Sequence, residues 1–206
     1  MDLFLTSSFA DVADLFVAFT NGECAGKTMT LIPTASLAVE VNAYLIAAKA
    51  AFAKAGVIID ELDVSSASQE DIVQTLERND YIYVAGGNTF FLLQELKRTG
   101  ADQVIAEQVN AGKCYVGESA GSAVLAPSIA YLTGLDDASA APGLESYASL
   151  GLIDFYPLPH YTNPPFADAV EQVLVDHATL DLRPFSNNQV IAVRGNHIEL
   201  QTSGDD

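Results

Sequence analysis

The chain has 206 residues, half of them apolar, and carries 27 acidic against 9 basic side chains, for a formal charge of −18. That length suffices for one sizeable core but not for two comfortable domains, and the apolar share excludes an intrinsically disordered chain. The acidic balance repels phosphate backbones and excludes nucleic acid as a partner, and no apolar run approaches the ~20 residues that span a bilayer, which excludes a membrane span.

The N-terminal stretch "MDLFLTSSFADVADLF" has an acid at position 2 and no Lys or Arg before Lys27. It lacks the basic start of a secretory signal, so the cytoplasm is the expected compartment. Short apolar runs then alternate with longer amphipathic ones. "LFLTS" (3–7) reads as a strand and "ADVADLFVAFT" (10–20) as a helix. "TMTLIPTA" (28–35) is a strand stopped at Pro33. "AVEVNAYLIAAKAAFAKAG" (38–56) is an Ala-rich helix closed by Gly56. "VIIDELDV" (57–64) is a strand. Ser68, with Asp71 three residues on, approximates a capping box before the next helix. "YIYVAGG" (81–87) is a continuous apolar run of the kind buried on both faces of a sheet. "NTFFLLQELKRTG" and "ADQVIAEQVNAGK" are helices, and "CYVGE" is a strand.

Beyond residue 128 the regularity weakens. "GLDDASAAPGLE" is rich in turn residues, and "LIDFYPLPHY" is a late strand ending near Pro159. "PFADAVEQVLVDHA" is a helix, and "QVIAVRGNHIELQ" (189–201) is a hairpin turning at Arg194-Gly195-Asn196. The alternation predicts a single α/β domain over 1–206, with a mostly parallel sheet between helices and a C-terminal hairpin. The cysteines, Cys24 and Cys114, belong to no paired motif, so neither a metal site nor a disulfide framework is expected.

The chemistry concentrates in "KCYVGESAGSAVLAP" (113–127). G-x-S-x-G after an apolar strand puts Ser119 on a tight strand-to-helix turn, where flanking glycines leave the hydroxyl exposed. The next N–H, that of Ala120, then faces any oxyanion at a substrate carbonyl. The plain alternative is a structural glycine turn. A serine nucleophile needs a base, and three histidines are available. His177 falls within a helix and His197 within the terminal hairpin. His160 closes an apolar strand in a Pro-rich loop, where sites of open α/β sheets assemble, and is the best placed. Asp136 and Asp137 lie between Ser119 and His160 and are both candidates to orient the imidazole; a solvated turn is the alternative for "GLDDAS". In "VAGGNTFFL", Gly87 supplies a second oxyanion N–H if its strand lies beside that of Ser119. Asn88 caps the next helix and is a candidate for substrate binding.

Three blocks, "GGNTFFLLQ", "YVGESAGSAVLAPSI" and "DFYPLPHYTN", together resemble those of peptidase E (aspartyl dipeptidase), a serine peptidase family that also includes the cyanophycinases. They keep the family's order and cover most of residues 80–165. The resemblance implies a fold similar to the class I glutamine amidotransferases. It makes Ser119 the nucleophile and His160 the base, with the Gly87 and Ala120 N–H groups forming the oxyanion hole and no cofactor required. Two departures stand out. Asn187 falls roughly where the family carries a catalytic Glu, so either Asp136 or Asp137 takes over or activity is reduced; Asn187 is also a candidate for substrate contact. The family's Asp between Ser and His fits Asp137 slightly better than Asp136. Second, the helix after His160 has no Lys or Arg to hold an Asp side chain, so a neutral or amine-bearing short peptide suits this surface better than an anionic one. Another acyl hydrolase (an esterase or amidase) or a catalytically silent binding protein is the alternative, and a homo-oligomer is left open.

Overall fold

The computed structural model describes residues 1–40 and 43–204. Positions 41 and 42, inside the helix expected over 38–56, lie outside the described residues. The chain runs β1 (Asp2–Thr6), α1 (Ala13–Phe19), β2 (Thr28–Ile32), α2 (Ala43–Lys54), β3 (Ile58–Glu61), α3 (Gln69–Arg78) and β4 (Tyr81–Val84). It continues through α4 (Thr89–Thr99), α5 (Ala101–Asn110), β5 (Cys114–Glu118) and α6 (Ala120–Ala123). Then come β6 (Tyr156–Leu158), α7 (Ala167–Asp176), β7 (Leu182–Pro184), β8 (Gln189–Arg194) and β9 (His197–Thr202).

The central sheet has seven strands in the order β3-β2-β4-β5-β1-β8-β9. Its first five are mutually parallel, and β8 returns antiparallel to β1, carrying β9 as the outer arm of its hairpin. Strand periodicity of two explains why the inner strands read as unbroken apolar runs. Leu3, Leu5, Ile82, Val84 and Tyr115 enter the core on one face, while Phe4, Tyr83 and Val116 enter that on the other. On the second face Phe4, Phe9, Phe16, Phe52 and Tyr83 pack largely edge to face, and the Phe9 and Phe52 rings stack at 3.8 Å. Each such fully buried side chain contributes about 1.5–3 kcal/mol.

Local signals end the helices as chemistry demands. Ser68 Oγ accepts the Asp71 N–H at 3.1 Å at the start of α3. Gly100, at φ 75°, ends α4 and lets α5 turn back from it. The late strand expected to end near Pro159 is shorter than the apolar run suggests: the strand is Tyr156–Leu158, and it pairs with Leu182–Pro184 in a separate two-stranded sheet. Pro157 and Pro159 have no N–H to donate, so this segment cannot sustain a ladder in the main sheet. The short pair nevertheless fixes where the chain leaves β6, which is where His160 sits.

Candidate active site

The site lies at the carboxyl ends of β1, β4 and β5. β4 and β5 are direct neighbours, with Val84 opposite Gly117, so the Gly86-Gly87 turn and the Ser119 turn emerge side by side. Ser119 adopts φ 51° and ψ −107°, a left-handed backbone that a side-chain-bearing residue holds only at a cost of about 1–3 kcal/mol. Close packing imposes it. A Cβ on Gly121 would stand 2.0 Å from the Val84 carbonyl oxygen, and one on Gly117 would stand 2.7 Å from Gly121 backbone. Only bare backbone fits at both positions, and the chain must pivot at the serine between them.

Ser119 Oγ lies 2.8 Å from His160 Nε2, and His160 Nδ1 lies 3.0 Å from Asn187 Oδ1. The Asn187 carbonyl oxygen can only accept, so Nδ1 carries the proton and Nε2 is left to accept the serine hydroxyl. His160 itself has φ 66°. Its N–H donates to Ser7 Oγ at 3.0 Å, and Ser7 Oγ donates in turn to the Phe185 carbonyl. Asn163 Oδ1 accepts the Asn187 N–H at 2.8 Å, and the Phe166 ring stacks on the imidazole at 4.7 Å. Burial pushes the imidazole below its usual value, while the Asn187 hydrogen bond and the Asp136 charge pull it back up. The imidazole is therefore biased toward its neutral, proton-accepting form.

Gly87, at φ 137°, comes so close to Ala35 that a Cβ would lie 2.1 Å from that carbonyl oxygen. Among the described residues, neither the Gly87 N–H nor the Ala120 N–H donates to a protein acceptor. Both residues line a cavity of about 580 Å³ that also contains Ser119, His160, Asn187 and Asp136.

Asp136 and Asp137 part company. The Asp136 carboxylate accepts from the Thr89 N–H at 2.9 Å and from the Thr89 hydroxyl, at the start of α4. Burial raises its carboxyl despite those bonds and the imidazole nearby. Asp137 is corrected as a candidate partner of His160. Its exposed side chain caps its own turn, accepting the Ser139 N–H at 2.8 Å. Asn88 caps α4 and is not among the residues that line the cavity: Oδ1 accepts the Phe91 N–H and Nδ2 donates to the Asp137 carbonyl. Asn88 and Thr89 thus clamp the 136–137 segment onto α4. Asn187, also considered for substrate contact, uses its side-chain oxygen on the imidazole. His177 caps α7 and His197 is exposed on β9. Burial pushes the Cys114 thiol up to about 12, which leaves it un-ionised and unreactive.

Glu118 is the residue that sequence reasoning passed over. It is 1 % exposed, and its carboxylate accepts the Phe9 N–H at 2.8 Å and the Tyr83 hydroxyl at 2.6 Å. Burial raises its carboxyl, against lowering by hydrogen bonds from Tyr83, Phe9 and Gly86. It ties the turn after β1 and the turn after β4 to the residue preceding the serine. The available signal was a carboxylate inside an otherwise apolar, strand-forming run.

A serine on a strained strand-to-helix turn, met by an imidazole across the carboxyl edge of an open parallel sheet, is an arrangement of the kind α/β hydrolytic enzymes use. Comparison with known proteins sharpens that class. The model of peptidase family S51 matches residues 3–201, and the chain belongs to that family. It is 49% identical over 198 residues to an uncharacterized peptidase of Listeria innocua serovar 6a, covering 96% of this chain and 94% of that one. It is 38% identical over 140 residues to the peptidase E of Shewanella denitrificans, covering 66% of this chain and 55% of that one. Among solved structures, a peptidase E candidate from Listeria monocytogenes EGD-e superposes with a TM-score of 0.95 at 45% identity, covering 98% of each chain.

Proposed function

We propose that the chain is a serine-type peptidase hydrolysing short peptides through an acyl-enzyme. The observation that carries this reading is the 2.8 Å contact between Ser119 Oγ and His160 Nε2. As Oγ bonds to the scissile carbonyl carbon, its proton passes to Nε2, and the Gly87 and Ala120 N–H groups receive the negative charge on the carbonyl oxygen. The C–N bond then breaks, and the imidazolium returns its proton to the leaving amine. Water, deprotonated by the same nitrogen, releases the acyl group. Asn187 holds the imidazole in the required tautomer, and the Asp136 charge supplies the compensation that an amide lacks. Among the described residues no helix is long and apolar enough to cross a membrane; action on cytoplasmic peptides is part of the proposal.

A fluorophosphonate probe is expected to attach to Ser119 in the wild type and not in Ser119→Ala. A folded wild-type protein left unmodified by the probe would sink the reading. A catalytically silent binding protein is the second reading. Asn187 favours it, because an amide stands beside the imidazole where a carboxylate would balance its charge.

A further inference from the structure

We propose that the cavity selects peptides with an apolar N-terminal residue, seating its side chain against Leu132 and Leu135 and its α-ammonium on the Asp136 carboxylate. This rests on the serine-peptidase reading above and names the substrate class for the same site.

Charge is the first consideration. Among the described residues lining the cavity there is no lysine or arginine, whereas Asp136 and Glu118 are both present. An acidic side chain entering there would lose its hydration and meet no counter-charge, which is costly for any carboxylate. The same holds for the free α-carboxylate of a dipeptide, for which the described lining residues offer no lysine or arginine.

The two carboxylates are not equivalent. Glu118 spends both oxygens, one on the Phe9 N–H and the other on the Tyr83 hydroxyl. Asp136 uses Oδ2 alone, for the N–H and hydroxyl of Thr89. Its Oδ1 accepts nothing among the described residues, although the residue lines the cavity with Ser119 and His160. A carboxylate held rigidly by one oxygen and open at the other is an acceptor for a cationic donor. The α-ammonium of a substrate bound through its first carbonyl is the group that reaches such a position, two bonds from the reacting carbon. Burial raises the Asp136 carboxyl, and a cation bound at Oδ1 would oppose that by favouring the charged form.

The apolar partner comes from the same segment. Leu132 is 3 % exposed and lines the cavity together with Leu135, which directly precedes Asp136. Val39 and Phe166 stand at the same cavity while remaining more than a third exposed to solvent. Apolar surface left open at a mouth is completed when an apolar group covers it.

The test is a panel of p-nitroanilides of leucine, aspartate and N-acetyl-leucine on the unaltered full chain, run beside fluorophosphonate labelling. The leucyl substrate is expected to exceed the aspartyl one in kcat/KM by about 100-fold, and N-acetylation to lower kcat/KM by about 10- to 100-fold. In Asp136→Asn the ratio of free to acetylated substrate is expected to fall toward one, whereas a merely structural loss would lower both alike. Labelling of Ser119 with aspartate preferred, with the acetylated substrate equally good, or with no leucyl hydrolysis would overturn the substrate class and leave the nucleophile standing. Absence of both label and hydrolysis would overturn the underlying reading and this inference with it.

Discussion

On one side of the cavity the serine stands on backbone packed against backbone; on the other the imidazole hangs from side-chain hydrogen bonds. The Ser119 turn is fixed by Gly117 and Gly121, and the neighbouring Gly87 turn by its approach to Ala35. None of these contacts has a side chain that could adjust. The imidazole half is held by the side chains of Ser7, Asn163 and Asn187 through hydrogen bonds from or to a loop. The first arrangement is stiff and intolerant of a single methyl group. The second can lose a member and keep its fold, so damage there should appear in rate rather than in stability.

The largest break should come from Gly121→Ala. The added carbon would sit 2.0 Å from the Val84 carbonyl, and neither backbone can retreat without disturbing the β4–β5 pairing. We expect a destabilisation of about 3 kcal/mol or more and loss of fluorophosphonate labelling. Chemical denaturation beside labelling measures both. A variant of wild-type stability that still labels would show that the turn is not held by close packing.

That contrast also explains what was legible in the sequence. The Ser119 turn and its strand neighbours are local: glycines, apolar runs and a capping asparagine lie within a few residues of one another and can be read in order. The alternation of strands and helices gave the parallel sheet for the same reason. The imidazole half joins Ser7, His160 and Asn187 across as many as 180 positions, and no short-range pattern encodes such a meeting. Asp136 and Asp137 are adjacent and chemically identical, so only the clamp from Asn88 and Thr89 separates them, and that clamp is tertiary. Glu118 was hidden differently. It sits inside the G-x-S-x-G motif itself, and its donors come from two distant segments, Phe9 after β1 and Tyr83 with Gly86 at the end of β4.

Changes at Asn187 should be smaller in stability and plain in rate. Asn187→Ala removes the acceptor that fixes the tautomer, and kcat/KM should fall about 100-fold or more while stability shifts by about 1 kcal/mol at most. The pH profile gives the sharper measurement. Burial holds the wild-type imidazole below the ordinary 6.5, so the acid limb of kcat/KM should lie below that pH. The Asn187 bond raises the imidazole, so its loss should move the limb further down. Asn187→Asp adds a negative charge that favours the imidazolium and should move it up. Limbs that coincide in all three proteins would mean that another group sets the profile.

Glu118→Gln should have the smallest effect, and it probes a buried side chain that joins the stiff turn to β4 and to the turn after β1. A carboxyl raised by burial costs the folded state more as it ionises. Its contribution to stability is therefore most favourable below the ordinary 4.5 and declines as pH rises through the raised folded value. Glutamine keeps a carbonyl for the Phe9 N–H and removes the ionisation, while the Tyr83 hydroxyl can turn to accept from the new amide. The variant should lie within about 1 kcal/mol of wild type. Its stability relative to wild type should improve as pH rises from about 4.5, read by urea denaturation at several pH values. Both proteins share the remaining acidic surface, so general charge repulsion cancels in that difference. A difference that stays flat with pH would mean that Glu118 does not titrate differently in the folded chain, and that its role is confined to the hydrogen bonds it accepts.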